Sequence, residues 1–472
     1  TLHAPASRLL RAWTREEALV ELLRGRMAIV GPTTAAALGE TLGVSDFDAN
    51  TALVMLESEG AVLRGAFTPR SSSEFLGVPR SSSGTVEEWC DRRLLARIHR
   101  YTLTRLRAEI EPVGATDFMR FLFAWQHVAP STRLSGMDGL QEVVSMLDGY
   151  EVAAHAWERS VLPARVDRYE PSMLDMLCLT GEVGWARLSP ASGASPVGAT
   201  PIALFLRATP GTWREGAAES SIETMLGDCA KRMLEALRSR GASFPRELAS
   251  ACALNDDELQ RAIGELVSAG LVASDGFAGL RALVSASHER RPKTSFSGRW
   301  SLLDLTPASR DEAVEAQART LLRRYGVVFR RLLTRESNAA PWRELARVYR
   351  RLEARGEIRG GRFVSGMSGE QFALGEAVER LREIRREGPD GKVLVISGAD
   401  PLNLTGILTT GERVRAIGGT RIAYRNGVAV SVMEGDILRP LAELEDAAAM
   451  EIAAALAGRR VPVSRGFVGR AS

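Results

Sequence analysis

Four segments of this chain repeat one pattern: a helix-forming run, a glycine, then a short apolar stretch. They are LVMLESEGAVLRGAF (Leu53–Phe67), LDMLCLTGEVGWARL (Leu174–Leu188), AIGELVSAGLVASDGF (Ala262–Phe277) and RVYRRLEARGEIRGGRF (Arg347–Phe363). Glycine reaches the left-handed backbone that closes a helix, where a residue with a β-carbon is strained. Gly60, Gly181, Gly270 and Gly356 therefore read as helix stops. The residues that follow (Ala61-Val62-Leu63, Glu182-Val183, Leu271-Val272 and Glu357-Ile358-Arg359) read as strand, and in three copies a second glycine is expected to turn the chain back as a hairpin. Helix, stop and two-stranded wing form the C-terminal half of a winged helix, a variant of the helix-turn-helix. Four copies predict a mainly α chain with small β wings: a tandem array of about four to five winged-helix modules.

The length of 472 residues agrees, since one core does not grow that large and about three to five domains are expected. Apolar content of 45% and charged content of 25% are ordinary for a soluble globular chain. No apolar run reaches the ~18 residues of a membrane span, and the N-terminus has no signal-like apolar core. The chain does not begin with Met, which raises the expectation of a fragment of something longer. Cys90, Cys178, Cys229 and Cys252 are far apart and without a neighbouring His pair, so neither a disulfide framework nor a metal site is expected, and a reducing cytoplasm fits. Net charge is only +3, so any nucleic-acid surface has to arise by local clustering, and Arg carries nearly all of the positive charge.

Read in order, the expected units are a first winged helix at 1–70, with a capped helix from Thr14 and helices over Pro32–Leu42 and Asp46–Gly60. A Ser- and Pro-rich linker follows at Ser71–Gly84. Then come an almost wholly helical block at 85–163 holding a wingless helix-turn-helix, and a short winged helix with a strand at 164–210. A winged helix at 220–287 has its wing over Leu271–Val284, and a basic, flexible stretch His288–Ser297 leads to an Arg-rich winged helix at 298–386. The last unit, 387–472, is β-rich and barrel-like, built around KVLVIS (Lys392–Ser397) and a hairpin with an Asn-Gly turn within Arg421–Val432.

The densest cationic stretch runs from Arg319 to Arg362. On the helix after Pro341, Arg343, Arg347, Arg350 and Arg351 are three or four residues apart and share a face. That is the recognition-helix position, and Arg359 and Arg362 fall in the wing beside it. These six are the candidate nucleic-acid-binding residues, through guanidinium–phosphate contacts; the competing reading is a solvated face with internal salt bridges to Glu344 and Glu353. The Arg set at 92, 93, 97, 100, 105 and 107 is balanced by Glu87, Glu88, Asp91 and Glu109 and reads as interhelix or intersubunit salt bridges. Catalytic signals are poor. Asp311-Glu312-Ala313-Val314 mimics a Walker B box, but there is no GxxxxGK[ST] anywhere. His127 and His155 sit on apolar helices and read as buried, Asp400 as a turn cap, and Trp125, Trp157, Trp185 and Trp300 as core, with base stacking open for Trp185.

Five stretches carry a more specific likeness: EEWCDRRLLARIHRYTLTRLRAEIEPV, DFMRFLFAWQHV, WERSVLPARV, LDMLCLTGEVGW and WRELARVYRRLEARGEIRGGRFVSGMSGEQFAL. Through them the chain resembles the C-terminal region of the bacterial large helicase-related (Lhr) family. The resemblance implies a non-motor segment of a superfamily 2, ATP-dependent 3′–5′ DNA helicase linked to DNA repair. It further implies that the motor lies N-terminal to this region and takes ATP and Mg, that this segment has no cofactor of its own, that its partner is DNA (single-stranded or tailed duplex), and that the segment assembles as a homo-oligomer, a tetramer. The array is also similar to the tandem winged-helix DNA glycosylases of the AlkZ type. Their Gln-x-Gln motif has no counterpart, since Gln126, Gln141, Gln260, Gln317 and Gln371 stand isolated. A base-excision module and a purely structural oligomerisation module stay open as alternatives, and no catalytic residue is assigned.

Overall fold

The computed structural model describes residues 12–68, 87–108, 111–189, 200–207, 211–213, 226–286, 298–303, 309–409 and 411–458. The segments read as linker or loop, Ser71–Gly84, most of Ser189–Thr200 and all of His288–Ser297, lie outside those residues. The chain divides into two compact units, Thr1–Glu109 and Ile110–Ser472. No described helix is long and apolar enough to cross a membrane.

In the first unit, helix α1 (Arg15–Met27) opens with a capping box: the Thr14 hydroxyl accepts from the Glu17 amide, and the Glu17 carboxylate accepts from the Thr14 amide. Helix α2 (Ala35–Leu42) ends at Gly43, whose φ of 66° turns the chain toward the Ser45 cap of α3 (Asp46–Ser58). Strand β1 (Val62–Gly65) then pairs antiparallel with β2 (Glu88–Asp91), and Thr33 bridges to Trp89 on the other side of β2. Leu23, Met27, Leu53, Leu56, Val62 and Trp89 form the core, and α4 (Arg92–Ala108) follows. Glu88–Asp91 is thus strand where the sequence read as helix. Nothing local marks it; its Trp89 is needed to fill this core, so the wing returns from beyond residue 70.

The second unit repeats this order three times. Helix α5 (Ala115–Trp125), a 3-10 turn (Pro130–Thr132) and β3 (Leu134–Ser135) lead into α6 (Gly136–Met146), β4 (Glu151–Ala153) and α7 (Ala154–Ala156), which runs on as a π-turn (Trp157–Val161). Strand β5 (Val166–Asp167) pairs parallel with β3. Then come α8 (Pro171–Leu179), β6 (Val183–Ala186) and β7 (Pro201–Leu206), with strand order β4-β7-β6. The boundary expected at 163/164 falls inside this module, because β4 and β6 flank the same strand. The next module has α9 (Asp228–Arg240), α10 (Pro245–Cys252), α11 (Asp256–Ser268), β8 (Val272–Ser274), α12 (Phe277–Ala286) and β9 (Trp300–Leu302); Ser243 bridges to Trp300 as Thr33 does to Trp89. The last has α13 (Arg310–Tyr325), β10 (Val327–Phe329), a 3-10 turn (Arg330–Arg335), α14 (Trp342–Ala354), β11 (Arg359–Gly361) and β12 (Gln371–Ala373), ordered β10-β12-β11. In all four copies the return strand lies between the first strand or bridge and the strand after the third helix, as in a winged helix.

The glycine stops are real and alike. Gly60, Gly181, Gly270 and Gly356 all have φ between 67° and 82°. At each, the glycine amide bonds back three residues, and the next amide bonds to the carbonyl of Leu56, Leu177, Leu266 or Leu352. This is the Schellman closure, and its leucine is buried in every copy. The hairpin expectation is corrected, because none of the wings turns back at a nearby glycine. Their return strands begin at 88, 201, 300 and 371. The return strand is chosen by pairing on both of its edges, a non-local condition that a short glycine turn does not supply. The wing expected over Leu271–Val284 is also shorter: after β8 the chain forms α12, whose Phe277, Leu280 and Leu283 are buried at helical spacing.

Helix α15 (Gly375–Glu387) leads to the C-terminal sheet of β13 (Val393–Ser397), β14 (Arg421–Arg425), β15 (Val428–Glu434) and β16 (Ile437–Pro440), ordered β13-β14-β15-β16. The Asn-Gly turn joins β14 to β15 with φ of 53° at Asn426 and 80° at Gly427. The barrel-like expectation is corrected. Among the described residues the sheet is open, β13 and β16 being unpaired edges. Four strands are too few for closure, and α16 (Asp446–Leu456) covers the face by packing Ile452 and Leu456 against Ala423 and Val430.

Candidate nucleic-acid interface

The third helix of a winged helix is the element that enters a groove, and the four copies differ sharply there. Helices α3 and α11 open with Asp46 and Asp48, or with Asp256, Asp257 and Glu258. Those carboxylates favour a helix N-terminus but repel phosphate. On α8, Asp175 is taken up by Arg281, which pairs with both Asp175 (3.1 Å) and Glu158 (2.7 Å). Helix α14 alone of the four carries four Arg residues, with Glu344 as the acid of its first turn.

Its sequence divides cleanly between two faces. Leu345, Val348, Tyr349 and Leu352 recur at helical spacing and are buried, the Tyr349 ring packing 5.2 Å from Phe372 of β12 while its hydroxyl donates to the Ala318 carbonyl. Arg343, Arg347, Arg350 and Arg351 face the solvent, and Arg359 on β11 and Arg362 just beyond it are exposed too. Their surroundings separate the six. Arg350 is held by Glu370 at 2.5 Å, which raises its pKa further, and Arg351 is 3.6 Å from Glu315. Arg343, Arg347, Arg359 and Arg362 have no ion-pair partner among the described residues. Arg330 and Arg331, in the 3-10 turn at the second-helix position, are likewise exposed without one. The salt-bridge reading through Glu344 is met differently: Glu344 pairs with Arg310 of α13.

Part of the cationic stretch is interior rather than surface. Arg324 is fully buried. It pairs with Glu336, donates to the carbonyls of Met146 and Asp148, and lies 5.1 Å from the Tyr150 ring and 5.4 Å from that of Trp213. It therefore ties the last module to the one beginning at α6. Arg335 donates to the Asp400 carbonyl. Asp400 is both the turn cap expected, accepting from the Leu402 amide, and the buried partner of Arg165 through two bonds of 2.7 and 2.9 Å. This last role had no sequence signal, since the partners are 235 residues apart. Asp148, beside Arg324, has its pKa pushed up to about 6 by burial, with Arg324 opposing only in part. Protonation is then favoured by folding: stability is greatest below the ordinary carboxylate pKa and falls as pH rises through about 6. Asp148→Asn, which keeps an acceptor for the Leu206 amide, should flatten that fall by on the order of 1–3 kcal/mol, read as unfolding free energy between pH 4 and 7.

The remaining candidates are structural. Glu312 completes a capping box with Ser309 at the start of α13, which accounts for the Walker-like string. Trp185 is buried edge-on to Trp300 and Phe277, so it stacks on no base. His127 makes a 2.8 Å ring-nitrogen contact with the Thr132 carbonyl. One feature the sequence did not signal is a cavity of about 370 Å³ between α5, α15 and the C-terminal sheet, lined by Phe123, Tyr424, Asn426 and Lys392 among others.

These elements define a tandem winged-helix protein with one strongly cationic recognition helix. Residues 113–207 and 307–393 match family models described as winged-helix domains of the large helicase-related protein. The chain is 32% identical over 407 residues to a protein of Mycolicibacterium smegmatis named Lhr helicase/probable uracil glycosylase, covering 79% of this chain and 25% of that one. It is 29% identical over 411 residues to the Escherichia coli Lhr helicase/uracil glycosylase, covering 75% and 26%. The chain belongs with the large helicase-related proteins, as a C-terminal region carrying their winged-helix domains. It spans about a quarter of the length of these relatives.

Proposed function

We propose that this chain is the non-motor, DNA-contacting segment of an ATP-dependent 3′–5′ DNA helicase acting in DNA repair, and that α14 and its wing meet the phosphate backbone of a single-stranded or tailed duplex DNA. The observation that carries this is the set Arg343, Arg347, Arg359 and Arg362: exposed, on a recognition helix and its wing, and without neutralising carboxylates among the described residues. Fluorescence anisotropy with tailed duplexes across a salt series tests it, because phosphate contact makes affinity fall steeply with salt; a flat response sinks the reading. Assembly as a homo-oligomer, a tetramer, is the second part of the proposal, supported by the likeness to the Lhr C-terminal region. Light scattering should then give a mass about four times that of one chain, and a monomer at micromolar concentration removes this part.

A second reading, base excision, is favoured by the names of both relatives and by the cavity beside the C-terminal sheet. Release of uracil from a uracil-containing single strand or duplex, followed by cleavage of the abasic site, tests it; an uncut strand defeats it.

A further inference from the structure

Helix α4 of the first unit follows the winged-helix core without filling it, for none of its described side chains is buried. Over Arg92–Ala108 it carries six Arg residues and no acid. Two of its features oppose helix stability. Helices α1 and α3 open on Glu16 and Glu17 or on Asp46 and Asp48, as the helix dipole favours, whereas α4 opens on Arg92 and Arg93. Arg93 and Arg97 also stand four residues apart, where like charges repel.

The acids nearest in sequence are committed elsewhere. Glu87 pairs with Arg64 at 3.3 Å. Glu88 accepts from the Phe67 and Thr68 amides and the Thr68 hydroxyl. Asp91 accepts from the Arg93 and Leu94 amides at 2.8 and 2.9 Å, capping the helix. Glu109 lies outside the described residues. Arg93 and Arg97 are exposed and have no ion-pair partner among the described residues. With Tyr101 and Arg105 they are spaced by four, so the side chains form one ridge that rises about 6 Å per step. The Tyr101 ring on that ridge is 70% exposed.

Guanidinium groups take phosphates, and an open aromatic ring takes the face of a base. A duplex hides its base faces in the stack, and an acidic protein surface would engage the Arg residues without using the ring. We propose that α4 binds single-stranded nucleic acid, with Arg93 and Arg97 on neighbouring phosphates and Tyr101 stacked on a base. The site is separate from α14 and does not rest on the contact proposed there.

Fluorescence anisotropy with the full chain and a labelled oligothymidylate tests this. The strand should have about 20 residues, longer than the ~4–16 nucleotides that one single-strand-binding fold covers. The corresponding oligouridylate is a second arm that separates DNA from RNA as the source of the strand. Replacing Arg93 and Arg97 together with Ala should weaken binding roughly tenfold or more. It should also flatten the slope of log affinity against log salt by about 1.4, at ~0.7 for each phosphate contact. Tyr101→Ala should weaken binding by about 5- to 100-fold and leave that slope unchanged, while Tyr101→Phe, which keeps the ring, should bind as the parent does. A strand carrying 5-iododeoxyuridine should crosslink to Tyr101 under light, and the crosslink should survive replacement of Arg343 and Arg347 with Ala. The proposal is overturned if either the Arg pair variant or Tyr101→Ala binds both strands as the parent does, or if the crosslink maps outside α4. Unchanged strand binding with a smaller mass by light scattering would give the Arg pair to an acidic protein surface instead. All three side chains are exposed, so folding should not suffer.

Discussion

Replacing Arg343, Arg347 and Arg359 together with Ala should weaken binding to a tailed DNA duplex by roughly 100-fold or more, at about 1–1.5 kcal/mol for each lost charge-assisted contact. The slope of log affinity against log salt should flatten by about 0.7–0.9 for each phosphate contact removed. All three side chains are exposed, so folding should not suffer. Arg350→Ala is the internal control. Its guanidinium is already engaged by Glu370 at 2.5 Å, so its removal should cost less than that of Arg347, which has no ion-pair partner among the described residues. Equal losses at the two positions would show that DNA pulls Arg350 off Glu370. A triple variant that binds as the parent does would place the interface elsewhere, and the acidic openings of α3 and α11 leave those helices poor substitutes.

Arg165→Met should destabilise the second unit by about 3–5 kcal/mol, the largest stability effect expected in this chain, because it strands the Asp400 carboxylate in a dry interior. Both groups are 1% exposed or less. Arg165 also donates to the Gln126 side chain and to the Val161 carbonyl, so four acceptors lose a donor group at once. Adding Asp400→Asn should recover much of the loss, since the amide keeps an acceptor for Leu402 and carries no charge. Differential scanning calorimetry of parent, single and double variants measures this. A double variant no better than Arg165→Met would shift the cost from the unpaired charge to lost packing, and a single variant as stable as the parent would dismiss the pair as a support of the fold.

Much of the architecture was legible because helix closure is local. A glycine one position past the helical C-cap, a leucine inside the last turn and a β-branched residue two positions after the glycine (Val62, Val183, Val272, Ile358) mark the stop and the strand behind it, so all four copies stood in the sequence. The Asn-Gly hairpin and the Thr14 capping box were legible for the same reason. The strand returning at Glu88–Asp91 was less so, and Arg299–Leu303, which reads as strand, gave no sign that it closes the preceding module, as both pair with segments far away in the chain; α12 was hidden by a short apolar run that fits strand or helix equally well. The candidate interface shows the same division. Spacing along α14 placed Arg343, Arg347, Arg350 and Arg351 on one face, a consequence of the 3.6-residue turn. Spacing did not tell which of them keeps a free charge. Glu315 and Glu370 come from other elements, and only the folded chain sets them beside Arg351 and Arg350. By itself the sequence therefore determined the repeated module and its cationic copy, both short-range properties of one helix and its stop. Tertiary structure decided which strand closes each wing, which arginines are spent inside and which remain for a ligand, because ion pairing and sheet pairing depend on distance in space rather than along the chain.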